Sequence, residues 1–289
     1  MKAEKNCCLT LDLESDHGLY AQDDYSIVKN NINEFIELMR LSNVKLTIFV
    51  TGLFLEKFPA TVSKLHNNLK CEFALHSYYH RTNSKISAEE EIVFSYKKFI
   101  DFFGHPPLGY RGPYGKISAD EIKILKDLGF VYHSAAGWFY PQRQRVSLYP
   151  QKKGIYTYQN NLIEIPVSRS YFIGVPLGIG YVNFFNLRSN LDIFYPSDPL
   201  VLYFHLHDLF KTAAFKKLPL LWKLFYFNKE YYCANLHKEF IRLITNLRNK
   251  GYKFLTIQEH LVCEKSAKNN TGTGMEYGET QKMTVVAER

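Results

Sequence analysis

Two short segments of this chain contain the residue types from which hydrolytic metal sites are built. Asp12 and Glu14 follow one apolar run, and His76 and His80 follow another. Residues two apart on a strand point to the same side, so the two carboxylates are expected to lie together. Carboxylates crowded in this way are destabilised unless a cation lies between them. The His-x-x-x-His spacing predicts two imidazoles one helical turn apart on one face.

One metal ion could take both histidines and one carboxylate, which leaves the second carboxylate free to act as a base. Such a site keeps one coordination position open for water. The alternative is that these residues have only structural roles. The carboxylates would then cap a loop, and one histidine would lie in a turn and the other on the face of a helix. We favour the metal site.

The elements that must position these residues alternate between strand and helix. Strands are predicted over Cys7–Leu11, Lys45–Val50, Cys71–Leu75, Phe130–His133, Leu162–Pro166, Leu200–His205 and Lys253–Ile257. Helices are predicted over Ser26–Leu41, from the capping boxes at Ser87 and Ser118, and from Asn235 to Gly251. This alternation predicts an α/β fold with a parallel sheet or barrel, whose active site lies at the carboxyl ends of the strands. Several polar residues follow apolar runs and are expected at that edge: Asp12, Glu14, His76, Arg111 and His205.

The composition of the 289 residues is that of a globular protein, and the length suits one α/β barrel of about 250 residues. We expect residues 1–263 to form the catalytic domain and residues 264–289, which are poor in aromatic residues, to form a disordered tail. The net charge of +8 favours an anionic partner such as a phosphate or membrane surface, or is simply a basic surface; no nucleic-acid partner is expected.

The spacing of the cysteines and the positions and lengths of the apolar runs predict the cellular compartment. The five cysteines show no framework spacing, and we expect all of them to be reduced. The first strand starts close to Met1, and no apolar run reaches the roughly 18 residues of a membrane-spanning helix. These observations predict a cytoplasmic protein. The lysine- and aromatic-rich stretch Phe210–Tyr232 is either a solvated helix with a core face or a membrane contact.

Four motifs make the chain resemble the polysaccharide deacetylase (NodB-homology) family. In family order they are Asp12-Leu13-Glu14, His76-Ser77-Tyr78-Tyr79-His80, Arg111-Gly112-Pro113-Tyr114 and Tyr203-Phe204-His205. The resemblance implies a distorted (β/α) barrel, usually of seven strands. It also implies metal-dependent hydrolysis of an N-acyl group, usually on an N-acetylated sugar.

The resemblance also implies a role for each matching residue. Glu14, His76 and His80 would bind a divalent metal, for which zinc is the first choice. Asp12 would be the general base, Arg111 would orient it, and the backbone N–H of Tyr114 would help to hold the oxyanion. His205 would be the general acid, with His207 as the alternative that the sequence leaves open.

Two features depart from the commonest family pattern. Leu13 separates the two acids, as in a branch that often acts on lipid-linked sugars or on substrates that are not polymers. Tyr132-His133-Ser134 stands where many members have an aspartate, so the group that orients the acid histidine is not identified. Glu164 has no assigned role, and Asp16, His17 and His133 are further candidates for the lining of the site.

These features together predict a hydrolase acting on a linear amide C–N bond, a carbohydrate N-deacetylase. The expected substrate is an N-acyl amino-sugar of a glycan, or of a lipid-linked or nucleotide-linked glycan precursor, reached at the inner membrane face. The alternatives are a hydrolase of a small cyclic amide or ureide and a catalytically inactive glycan-binding module. An inactive module would typically lack the base or a metal ligand, and none is missing here.

Overall fold

The computed structural model describes residues 5–17, 23–80, 87–115, 117–134, 154–158, 160–169, 176–184, 199–221, 223 and 236–271. The strands are β1 Lys5–Leu13, β2 Leu46–Val50, β3 Cys71–Leu75, β4 Gly109–Tyr110, β5 Tyr132–His133, β6 Tyr156–Thr157, β7 Ile163–Glu164, β8 Leu200–Phe204 and β9 Tyr252–Phe254. The helices are α1 Ser26–Ser42, α2 Gly52–Lys57, α3 Pro59–Asn68, α4 Ala88–Phe103, α5 Ala119–Asp127, α6 Ile179–Phe184, α7 Leu236–Asn249 and α8 Ile257–Thr271. Short 3₁₀ turns cover Pro113–Gly115, Leu206–Asp208 and Ala213–Lys217.

The described strands form one curled sheet in the order β6-β7-β5-β4-β3-β2-β1-β8, with β9 paired to β1. The run from β7 to β8 is parallel throughout, and β6 is antiparallel to β7. Beyond β7, Ser168 donates its N–H to the Val201 carbonyl of β8 at 3.0 Å, and Val201 donates its N–H to the Ser168 hydroxyl. These bonds bring the two ends of the parallel run together, which confirms the predicted distorted (β/α) barrel of about seven strands.

Alternate residues of each strand face two separate hydrophobic layers. Leu9, Leu11 and Leu13 of β1 pack in the larger layer, which also contains the buried faces of the helices α1 and α4. Cys8 of β1 packs in the smaller layer with Phe49, Tyr132 and other residues of the opposite strand faces. Thr10, Asp12 and Glu14 continue the pattern of Cys8, so they point to the barrel interior. The alternation of one strand therefore delivers both acids to the same opening.

Helix starts agree well with the sequence predictions. Ser87 with Glu90, and Ser118 with Glu121, form complete capping boxes at α4 and α5. α1, β3 and α7 lie where they were predicted, and Asn235 is outside the described residues. Helices α2, α3, α6 and α8 were not predicted. Because α8 extends to Thr271, residues 264–271 of the predicted tail are helical, and the rest of the tail is not described.

Two further observations concern the cysteines and the lengths of the helices. Four described cysteines, Cys7, Cys8, Cys71 and Cys263, carry free thiols, and Cys233 lies outside the described residues. Within the described ranges, every helix is too short or too polar to span a bilayer.

Candidate metal centre

Three predicted ligands converge at the opening of the barrel. Ligand atoms of Glu14, His76 and His80 all lie within 4.8 Å of one another, and the three side chains are buried or nearly so. Glu14 Oε2 and His80 Nδ1 are 2.9 Å apart, yet neither buried atom makes a hydrogen bond. Buried polar atoms without hydrogen bonds are rare in native proteins, and a bound cation is one explanation for them. Two imidazoles and one carboxylate are a suitable ligand set for a divalent ion such as zinc.

The two histidines are not on a helix, contrary to the sequence prediction. Residues 76–80 form an irregular loop after β3, and Ser77 and His80 have left-handed backbones with φ of 58° and 57°. The carboxylate of Glu91 on α4 accepts the N–H groups of Tyr78 and Tyr79 at 2.9 and 2.8 Å. These bonds hold the strained loop, because a non-glycine residue with positive φ persists only where its surroundings enforce it.

His76 is oriented by the next motif along the chain. Its Nδ1 lies 2.7 Å from the carbonyl oxygen of Arg111. Since the carbonyl can only accept, the proton is on Nδ1 and the lone pair of Nε2 is free for a metal. An outer hydrogen bond of this kind is typical of histidine ligands to metals.

Arg111 fixes the carboxylate predicted to be the base. Its Nη1 lies 2.5 Å from Asp12 Oδ1 and 2.9 Å from Thr10 Oγ1. Its other nitrogens bond the carbonyl and hydroxyl of Ser134, both at 3.0 Å, and the guanidinium lies 4.0 Å from the centre of the Phe49 ring. Arg111 is therefore held by four partners, and Asp12 is fixed with Oδ2 3.9 Å from His76 Nε2.

Tyr114 lies beside the metal ligands. Its ring centre is 4.9 Å from that of His80, and its backbone is left-handed with φ of 57°. This backbone conformation interrupts the helical geometry of the turn Pro113–Gly115. The role of the Tyr114 N–H in holding an oxyanion remains a prediction from the family motif.

His205, rather than His207, faces the two carboxylates. His205 Nε2 lies 3.4 Å from Glu14 Oε1 and 3.9 Å from Asp12 Oδ2. His207 instead accepts the His17 N–H on Nδ1 and stacks on the His17 ring, with centroids 3.9 Å apart. This geometry favours His205 over His207 as the predicted general acid.

Asp208 orients His205, and sequence reasoning missed it. One Asp208 oxygen accepts the backbone N–H of His205 at 2.9 Å and lies 3.7 Å from its Nδ1. The other oxygen would be 2.7 Å from a Cβ at position 180, so a larger residue than Gly180 would displace the Asp208 carboxylate. The signal was present, because an acid three residues after His205 can cap the 3₁₀ turn Leu206–Asp208.

His205, His207 and Asp208 form a second cluster with ligand atoms within 4.8 Å of one another. The His205 and His207 rings are stacked almost parallel, at 11°. Their in-plane lone pairs therefore do not converge on one point. Glu14, His76 and His80 are the better ligand set.

In the metal-free site, the protonation states of Glu14 and His76 suit metal binding, and that of His205 suits proton donation. Burial alone would raise the pKa of Glu14, but His80, His205 and His76 outweigh it and lower this pKa to about 2. Burial lowers the pKa of His76 to about 4. Burial also acts to lower the pKa of His205, but Asp208, Glu14 and Asp12 raise it to about 9. At neutral pH, Glu14 is therefore charged, His76 is neutral and His205 is protonated.

The further candidates for the lining have structural roles. Asp16 accepts hydrogen bonds from the Ser26 hydroxyl, the Ile27 N–H and the Thr212 hydroxyl, so it ties the start of α1 to the segment after β8. His17 packs against His207. His133 and Glu164 contact each other behind the Arg111 motif, with His133 Nδ1 2.5 Å from Glu164 Oε2.

Sequence comparison matches the first half of the chain to a known family. The family model described as polysaccharide deacetylase matches residues 9–133. A peptidoglycan-N-acetylglucosamine deacetylase from Bacillus cereus is 27% identical over 101 residues. That alignment covers 34% of this chain and 36% of the relative, so the chain matches about a third of the relative's length.

Solved structures show the same fold at low sequence identity. A candidate polysaccharide deacetylase from Mycobacterium smegmatis has a TM-score of 0.54 and 15% identity, covering 96% of this chain and 94% of its own. A family 4 carbohydrate esterase from Streptomyces lividans in complex with acetate scores 0.51 at 13% identity, covering 87% and 92%. A pseudoenzyme of that same family from Bacillus anthracis scores 0.52 at 12% identity, covering 90% and 66%. This fold therefore occurs in both active and inactive proteins.

Proposed function

Because residues 9–133 belong to the polysaccharide deacetylase family, we propose that this chain is a metal-dependent hydrolase of N-acyl amino-sugars. The observation that carries the proposal is the convergence of the ligand set Glu14, His76 and His80 with a base and an acid. Asp12 and His205 both reach the ligand set, and His205 Nε2 is 3.4 Å from Glu14 Oε1. The expected reaction is hydrolysis of a linear amide, most simply an N-acetyl group.

A divalent ion held by these three residues would activate water and polarise the acyl oxygen. Asp12 takes one proton from the attacking water, whose oxygen forms the new bond to the acyl carbon. His205 gives its proton to the amide nitrogen as the C–N bond breaks. The products are acetate and the free amino-sugar. Arg111 holds Asp12 in place at the opening, and Asp208 keeps His205 protonated and oriented.

A catalytically inactive glycan-binding module is the main alternative, because the fold is shared with a pseudoenzyme. An inactive member would not need a buried arginine with four partners to hold one carboxylate. Nor would it need Asp208 to keep a histidine charged beside that carboxylate. A small cyclic amide or ureide is a second alternative substrate, and only a substrate screen separates it from an amino-sugar.

The substrate is proposed to be a lipid-linked or nucleotide-linked glycan precursor. A patch of exposed residues near the opening supports the lipid-linked form. Leu220 and Leu221 are 72% and 81% exposed, and Lys216 and Lys217 are exposed beside them. The turn that carries these lysines follows Thr212, whose hydroxyl bonds Asp16, two residues after the metal ligand Glu14.

This surface is tested by the triple change of Lys216, Lys217 and Lys223 to Ala. Each lysine near the surface is expected to contribute about 1 kcal/mol to binding of anionic vesicles. Activity on a lipid-linked amino-sugar in such vesicles should therefore fall, and activity on a soluble amino-sugar should not change. The matched control replaces three exposed lysines of α4 and α5, Lys97, Lys123 and Lys126. Equal responses to both substrates would contradict a membrane contact.

A cytoplasmic location is proposed in addition. The free thiols of the described cysteines support it, because structural disulfides are rare in that compartment. Cell fractionation with a periplasmic and a cytosolic marker tests it, and recovery with the periplasmic marker would contradict it.

The experiment that tests the activity is a release screen. Acetate and formate are measured after incubation of Zn²⁺-loaded protein with soluble and lipid-linked N-acyl amino-sugars and with cyclic amides. The proposal predicts release from at least one amino-sugar, at a rate that Asp12→Asn lowers on the order of 10²–10⁴-fold. Ring opening of a cyclic amide alone would favour the second alternative substrate.

A further inference from the structure

A buried hydrogen-bond chain starts at the metal ligand His76 and ends at a carboxylate. His76 Nδ1 donates to the Arg111 carbonyl at 2.7 Å. The Gly112 N–H, which belongs to the same peptide unit as that carbonyl, donates to His133 Nε2 at 3.4 Å. His133 Nδ1 then donates to Glu164 Oε2 at 2.5 Å. One peptide plane is therefore held between two imidazoles.

The four groups are shielded from solvent. His133 is 0% exposed, Glu164 is 1% exposed, and His76 and Arg111 are 2% and 3% exposed. A buried carboxylate is destabilising unless hydrogen bonds satisfy it. Glu164 accepts from His133 and also from the Tyr158 hydroxyl at 2.9 Å. Because these groups are buried, water does not weaken the electrostatic interactions along this series of hydrogen bonds.

All donors in the chain run in the same direction, from His76 toward Glu164. Each hydrogen bond therefore polarises the next, and the negative charge of Glu164 draws the protons along the chain. The consequence at His76 is a fixed Nδ1–H tautomer and a more basic Nε2. Both effects favour metal binding, as outer hydrogen-bond partners of histidine ligands generally do.

We infer that His133 and Glu164 are positioning residues for the metal ligand His76, acting through the Arg111–Gly112 peptide. This inference rests on the proposed metal-dependent function and adds two residues from β5 and β7 that contact neither metal nor substrate. The same peptide unit precedes Pro113 and Tyr114. The chain therefore also fixes the start of the turn beside the ligands.

The test is the affinity of the whole protein for Zn²⁺, measured by competition with a chromophoric chelator. Glu164→Gln keeps the shape and removes the charge, and it is expected to weaken Zn²⁺ binding about 10-fold. The matched control is Glu72→Gln. Glu72 is also buried and also bonds a tyrosine hydroxyl, that of Tyr132 at 2.6 Å, together with Thr47 and the Gln258 N–H, but it is not linked to His76.

The control is expected to keep wild-type Zn²⁺ affinity. No loss of affinity in Glu164→Gln, or an equal loss in both variants, would overturn the inference. A wild-type protein that binds no Zn²⁺ would overturn the proposed function itself, and this inference with it.

A second measurement covers the case in which Glu164→Gln does not fold. Imidazole ¹⁵N NMR of the wild-type protein reports which ring nitrogen carries the proton. The chain requires both His76 and His133 to be neutral with the proton on Nδ1. An Nε2–H tautomer at His133 would overturn the inference.

Discussion

Arg111 Nη1 lies 2.5 Å from Asp12 Oδ1, and both side chains are almost completely buried. The pair links the end of β1 to the loop after β4, across the opening of the barrel. An unpaired charge would be strongly destabilising there. The ion pair therefore holds the predicted base in place, and its removal is expected to affect stability as well as turnover.

Substitution of one or both partners separates the effect on stability from the effect on turnover. Arg111→Met is expected to lower the free energy of unfolding by about 3–5 kcal/mol, because Asp12 is left buried without its partner. The double variant Arg111→Met with Asp12→Leu should recover much of that stability but no turnover. Urea denaturation of the single and double variants measures this. A double variant no more stable than Arg111→Met would mean that Ser134 and Thr10, rather than Asp12, account for the loss.

Asp12→Asn tests the base without changing the size of the side chain. Metal content should stay at the wild-type level, because Asp12 is not in the ligand set. Turnover should fall on the order of 10²–10⁴-fold, since the proton acceptor is lost. Elemental analysis and acetate release measure the two effects. Metal lost in Asp12→Asn but kept in Glu14→Gln would show that the two carboxylates have the opposite roles.

His205→Ala and His207→Ala are expected to differ in severity. His205→Ala should abolish turnover, because its Nε2 is the group that faces the carboxylates. His207→Ala should be milder, since that ring packs on His17 and accepts a backbone N–H. The turnover rates of both variants on one soluble substrate measure this difference. The reverse order of severity would contradict the assignment of the acid.

The raised pKa of His205 predicts a pH-dependent contribution to stability in the metal-free protein. Its folded-state pKa of about 9 lies above the value of about 6.5 for an unperturbed histidine. The stabilisation is therefore full below about pH 6.5 and is lost as the pH rises through about 9. The difference in unfolding free energy between wild type and His205→Gln should shrink between pH 6 and pH 10. A constant difference would mean that the folded-state pKa is not raised.

Local patterns predicted the parts of the site that depend on a single strand. The alternation in β1 brought Asp12 and Glu14 to one face, and strand ends placed His76, Arg111 and His205 at one edge. The left-handed backbone of His80 could not be foreseen, because Glu91 on the separate helix α4 holds the loop in which His80 lies. Asp208 was detectable as an acid at capping distance. The contact of His133 with Glu164 depends on the pairing of β5 with β7, which sequence spacing does not reveal.

If Glu14, His76 and His80 hold one ion on which turnover depends, the metal content and the activity of the protein must change together. Metal-free wild-type protein is titrated with Zn²⁺ while metal content per chain and acetate release from an N-acetyl amino-sugar are followed together. We expect release to rise and reach a plateau at about one ion per chain, and His76→Ala and Glu14→Ala to retain neither metal nor activity. His105→Ala, a change of an exposed histidine after α4, should behave as wild type. Full release without metal, or equal metal content in wild type, His76→Ala and Glu14→Ala, would contradict this assignment of the metal ligands.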